Sequence, residues 1–145
     1  MKLKKMFQGK VPENKILSTY SDSQTDVYSC DYVNHIVESG SNENGSWTKW
    51  SDGTMICDII REYSFTATAA WGAVYESGYI NLGALPQKFI EPPIAVASCV
   101  GGTSVWLEAF APTVDTLGST WFMRPIAQDS ESKTKIAFMA KGKWK

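Results

Sequence analysis

Apolar and polar residues change rhythm about a third of the way along this 145-residue chain. In the first part, Val27, Cys30, Val33 and Val37 recur at spacing three to four, and Tyr28, Tyr32 and Ile36 broaden the stripe. Ser23-Gln24-Thr25-Asp26 offers a Ser N-cap with an acid three residues later, and Gly40 offers a stop. The pattern predicts a short α-helix over 26–38. A helix of about 13 residues is marginal alone in water, so it needs its own sandwich or copies of itself to pack on. Residues 39–46 are polar or glycine and read as a linker.

Beyond the linker the period falls to two. Asp52-Gly53 lies between Trp47-Thr48-Lys49-Trp50 and Thr54-Met55-Ile56-Cys57, a strong hairpin signal. Gly101-Gly102 is read the same way, between strands at 94–100 and 103–110. Further strands are expected at 71–82, 115–124 and 134–142, the last from the alternation of Ile136, Phe138 and Ala140 with Ala137 and Met139. Pro86, Pro92, Pro93, Pro112 and Pro125 fall between these runs or at their ends. The expectation is an all-β chain, an antiparallel β-sandwich of about seven strands, preceded by an extended N-terminal arm and one short α-helix. Its divisions are 1–22 for the arm, 23–45 for helix and linker, and 46–145 for the sandwich.

Charge and cysteine usage narrow the function. Lys2, Lys4, Lys5 and Lys10 stand in the first ten residues without an acid; as the formal charge is −1, removing these four positive charges leaves −5 for the remainder. A nucleic-acid-binding domain carries the opposite bias, so no nucleic-acid partner is expected. Cys30, Cys57 and Cys99 show no metal spacing and read as buried free thiols, compatible with a reducing bacterial cytoplasm. No apolar run follows the basic start and no stretch approaches a membrane span, so neither a secretory signal nor membrane insertion is expected.

Catalysis finds no anchor in the pattern. His35 is the single histidine, five residues from Cys30 in the expected helix and hence on another face. The acids Asp58, Glu62, Glu76, Glu91, Glu108 and Asp115 show no pairing by spacing. No catalytic residue, cofactor or metal ligand is assigned; three copies of His35 on a threefold axis are the one arrangement that single-chain spacing leaves open. The aromatic residues, 12% of the chain, are more informative. Trp106, Trp121 and neighbouring Arg124 are candidates for an exposed platform on which a sugar ring could lie, although core packing is the commoner use of a tryptophan.

From Asn44 onward the chain resembles the C-terminal receptor-binding tips of fibre proteins from phages of Gram-positive gut bacteria. The resemblance is carried by Asn44-Gly45-Ser46-Trp47-Thr48-Lys49-Trp50-Ser51-Asp52-Gly53, Thr68-Ala69-Ala70-Trp71-Gly72-Ala73-Val74-Tyr75, Leu85-Pro86-Gln87-Lys88-Phe89, and the closing Ile136-Ala137-Phe138-Met139-Ala140. It departs after Cys57, where Asp58-Ile59-Ile60 stands in place of the family's aromatic and glycine. The resemblance implies a homotrimer with the shape of an H-type lectin, meeting host-surface polysaccharide. Val33, Ile36, Val37, Trp47 and Trp50 are then the candidates for the trimer interface, and residues 1–22 for attachment to a capsid or tail protein. The expected function is that of a structural, non-enzymatic fibre or spike on the virion, assembled in the bacterial host cytoplasm. A length of 145 residues leaves no room for a shaft and favours a short head fibre or baseplate spike. The alternative is a capsid or baseplate decoration protein that stabilises the particle without binding receptor.

Overall fold

The computed structural model describes residues 34–145, and its strands all lie in the compact unit Ile36–Lys145. Two antiparallel sheets share one core. In the first, β1 (Ile36–Asn42), β2 (Gly45–Trp50), β3 (Thr54–Ala67), β9 (Gln128–Lys143) and β6 (Ile94–Gly102) lie side by side in that order. In the second the order is β4 (Ala69–Trp71), β5 (Val74–Asn81), β8 (Ser119–Arg124) and β7 (Trp106–Leu107). The layout is that of a β-sandwich.

The long β3–β9 ladder is the spine, running from Thr54 opposite Lys143 to Ala67 opposite Gln128. Alternation along it is clean: Met55, Cys57, Ile59 and Phe65 point inward from β3, and Ile136, Phe138 and Ala140 from β9. Phe122 of β8 enters from the second sheet and meets Phe65 and Tyr63 edge-on, at centroid distances of 5.4 and 5.6 Å. Leu82, Leu85, Phe89 and Leu117, from the connections, close the core.

Arg61 fixes one of these connections. It leaves β3 half-buried and donates to the carbonyls of Leu82, Ala84 and Asn44 and to the Asn44 side chain. Tyr63 adds a hydroxyl hydrogen bond to Leu82 O at 2.9 Å. Gly83, at φ 86°, leaves room for the guanidinium; a side chain there would collide with it.

Several expectations are corrected. Ile36, Val37 and Glu38, placed in a helix by their spacing, belong to β1; residues 23–33 lie outside the described residues. Among the described residues no helix forms. The expected linker 39–46 is the rest of a hairpin: Asn42 stands opposite Gly45, and the Asn44 amide donates to Asn42 Oδ1 at 2.9 Å. Pairing with β2 supplies the backbone partners that a short helix would have needed in isolation, and Ile36-Val37 favour a strand. The single strand expected at 71–82 is two strands, because Gly72, at φ 61°, opens a two-residue turn that sets Trp71 opposite Val74. Gly101-Gly102 ends no hairpin: β6 pairs with β9 through a bulge near Gly101, and the chain then crosses to β7 in the other sheet.

Candidate functional site

The outer face of the second sheet carries four of its six aromatic residues. Inward on β8 point Thr120 and Phe122, both fully buried, so Ser119, Trp121 and Met123 face outward. Ladder pairing extends this face across the sheet: Trp106 stands opposite Met123, Met123 opposite Glu76, and Glu76 opposite Ala69. In the neighbouring row Tyr79 stands opposite Trp121, and the Glu108 amide donates to Trp121 O at 3.1 Å, placing Glu108 beside it. At the far edge Trp71 shares a row with Val74. Trp71, Tyr79 and Trp106 are 54%, 72% and 58% exposed.

Tyr79 reaches this face only because β5 contains a bulge. Between Glu76 and Tyr79 the strand takes three steps, while β8 takes two from Met123 to Trp121. Gly78, at φ 75°, supplies the conformation, and the Ser77 hydroxyl accepts the Phe122 amide at 3.0 Å and donates to Gly78 O at 2.8 Å. Strict alternation would send Glu76 and Tyr79 to opposite faces; the extra residue returns Tyr79 to the outside. Its ring then lies against that of Trp121, with centroids 4.0 Å apart and planes tilted by 38°. On the other flank the Thr120 hydroxyl donates to Glu108 O at 2.8 Å and ties the segment after β7 to β8.

The sequence-derived candidates fall in different places. Trp106 and Trp121 occupy diagonal positions on this face, a separation of about 7–8 Å that indole rings can bridge. Arg124 stands opposite Tyr75, on the side of Phe122; it donates to Gln128 Oε1, and its Nε is buried without a hydrogen-bond partner among the described residues. Trp71 and Tyr79 were not singled out as site residues. Their signals, a glycine turn and a glycine bulge, are visible only once the register is known.

Val33 lies outside the described residues. Ile36 and Val37 are exposed on β1. Trp47 packs against the core and donates from Nε1 to Glu38 at 2.9 Å, while half-buried Trp50 accepts the Trp144 indole N–H at its carbonyl, 3.1 Å away. His35 is half-buried just before β1.

The outer face of the first sheet has a different chemistry. Ile60, Ala137 and Ser98 form one row, and Asp58, Met139 and Val96 the next. Edge strand β6 carries no charged residue along its nine positions, and Ile94, Val96 and Val100 point outward from it. Charges are interspersed with these apolar residues: Asp58 stands in the second row, Lys135 and Lys141 are exposed on β9, and Lys133 pairs with Glu62 at 2.9 Å.

Cys57 and Cys99 are free thiols. Burial pushes the Cys57 thiol up to about 11. The Thr134 hydroxyl, 3.4 Å from Sγ, holds the half-buried Cys99 thiol below its ordinary value. No group of three His, Cys, Asp or Glu able to hold a metal occurs among the described residues.

Fold and site together describe a β-sandwich with an open aromatic face on its second sheet. No family model and no curated protein matches the chain. Among solved structures it is similar to the C-terminal part of the P. aeruginosa R1 pyocin fibre, at 13% identity and a TM-score of 0.40 over 73% of this chain and 28% of that one. It is similar also to an N-truncated R1-type pyocin tail fibre, with the same identity and TM-score, over 73% of this chain and 86% of that one. At this distance the likeness transfers neither fold nor function.

Proposed function

We propose that the chain is the receptor-binding module of a phage fibre or spike, a homotrimer that adheres to bacterial surface polysaccharide and carries out no chemistry of its own. The observation that carries this reading is the open aromatic face of Trp71, Tyr79, Trp106 and Trp121. Four rings fixed on a rigid sheet, three of them more than half exposed, are an unfavourable way to meet water and a suitable platform for ligand rings. The sequence resemblance to phage fibre tips supports the same reading, with the basic arm 1–22 as the virion attachment and the particle as the place where the protein resides.

The exposed apolar edge strand β6 of the first sheet supports the oligomer. A long uncharged edge strand invites pairing with another chain, and natural proteins cover such edges or charge them. Three linked copies would let weak individual sugar contacts hold a cell, since the second and third engagements are intramolecular. The test is twofold: light scattering of the purified chain, and pull-down on host cell-wall polysaccharide. A trimer that is retained meets the expectation. A trimer that no wall preparation retains favours the decoration protein, and a stable monomer at micromolar concentration refutes the trivalent adhesin.

A further inference from the structure

We propose that the outer face of the β4-β5-β8-β7 sheet selects uncharged or amine-bearing polysaccharide and rejects acidic polymers; this rests on the receptor-binding reading above and adds the site and the chemical class. The charged side chains that face outward from this sheet are Glu76 and Glu108, and neither lysine nor arginine joins them on its strands. Arg124, the one basic residue within these strands, stands on the opposite side, with Tyr75 and Phe122.

Glu76 is half-buried in the centre of the face, flanked in its row by Ala69 and Met123, with Trp106 beyond. A carboxylate there accepts hydrogen bonds from hydroxyls and pairs with a protonated amine, while it repels phosphate and uronate groups. The indole and phenol rings around it stack on the apolar faces of pyranose rings. From Trp71 on one edge strand to Trp106 on the other the face spans three strand spacings, about 14 Å, so it engages a run of linked rings and not one terminal sugar.

Two other occupants fit less well. A second copy packed on the same face would bring like carboxylates together and desolvate them without a cation. Nucleic-acid bases could stack on the rings, but the phosphate backbone would meet Glu76 and Glu108 on a chain whose formal charge is −5 after its first ten residues. Charge complementarity therefore points to a neutral or cationic polymer.

The experiment is isothermal titration of the full chain, at fixed ionic strength, with neutral glucans and galactans, chitosan oligomers, polygalacturonate and wall teichoic acid. Trp121→Ala, Trp106→Ala and Glu76→Gln are compared with the parent, each checked for unchanged melting and unchanged mass. The expected result is binding to a neutral polymer, to chitosan or to both, weakened at least fivefold by either tryptophan variant, with Glu76→Gln weakening chitosan binding more than neutral-polymer binding. Binding that none of the variants alters places the site elsewhere and overturns the assignment. Binding confined to the acidic polymers overturns the proposed class while leaving receptor binding intact, and a drop in mass on replacing Trp106 or Trp121 makes the face a contact between copies. If no polymer binds, the receptor-binding reading falls as well.

Discussion

Replacing Arg61 by Met keeps most of the apolar stem and removes the guanidinium donors that join β3 to residues 82–84 and to the β1–β2 turn, while the Tyr63 hydroxyl still reaches Leu82 O. Hydrogen bonds from a charged group contribute roughly 1.5–3 kcal/mol each, and a carbonyl left unpaired in a buried place costs about 1–3 kcal/mol. The Ala84 end is exposed, so water can replace the guanidinium there, and Leu82 O keeps the Tyr63 hydroxyl; the half-buried Asn44 carbonyl and the lost charge-assisted bond to Leu82 carry most of the effect. The expected loss is about 3 kcal/mol. With a urea m-value of about 2 kcal/mol/M, the midpoint falls by about 1.5 M. The assay is urea unfolding followed by tryptophan fluorescence at one fixed protein concentration, which matters if copies associate. Arg61→Lys should recover less than half of the loss, because a compact ammonium cannot reach carbonyls in two separate segments with a planar fork. A loss under about 1 kcal/mol for the Met variant, or full recovery by Lys, would refute the bracing role.

Phe122→Ala removes a fully buried ring that meets Tyr63 and Phe65 edge-on, and should destabilise by about 3–5 kcal/mol in the same unfolding assay. In a Cys30→Ser background a thiol reagent at neutral pH should label Cys99 first and Cys57 only on unfolding, since burial holds Cys57 in its protonated form; equal labelling rates in the native protein would contradict this. The Glu38 carboxyl lies below its ordinary value of 4.5 because it accepts hydrogen bonds from Lys49 and then Trp47. Its contribution is present above the unfolded-state value and is lost as pH falls through the lower folded-state value, so the stability gap to Glu38→Gln should close on acidification; a gap independent of pH would exclude that role.

The spine of the fold was legible. Asp52-Gly53 lies in the turn that leads from β2 into β3, with Gly53 at φ 85°, and alternation through Ile136, Phe138 and Ala140 marks the buried side of β9. The first hairpin was not, because polar residues occupy both faces of β1 and β2, and its two-residue loop is Glu43-Asn44, one step before the Asn-Gly dipeptide that would signal a turn. The apolar spacing that ends at Val37 imitates a helix when the pairing with β2 is unknown. Period two alone separates Trp121 from Arg124, three positions apart on one strand, so that pair needed no structure to divide. Trp71 and Tyr79 did: one depends on which strand follows Gly72 and the other on an irregularity in pairing that no local pattern specifies.

The extra residue in β5 makes the aromatic surface depend on counting as well as on side-chain identity. Replacing Gly78, at φ 75°, by a β-branched residue would preserve every ring in the protein and yet disfavour the bulge; at unchanged length a regular strand turns Tyr79 inward and Ile80 toward solvent. A substitution at Tyr79 removes one contact, whereas loss of the bulge at unchanged length exchanges the two sides of the strand beyond it. Among related chains, a glycine at this point is therefore a better guide to shared ligand preference than total tryptophan content.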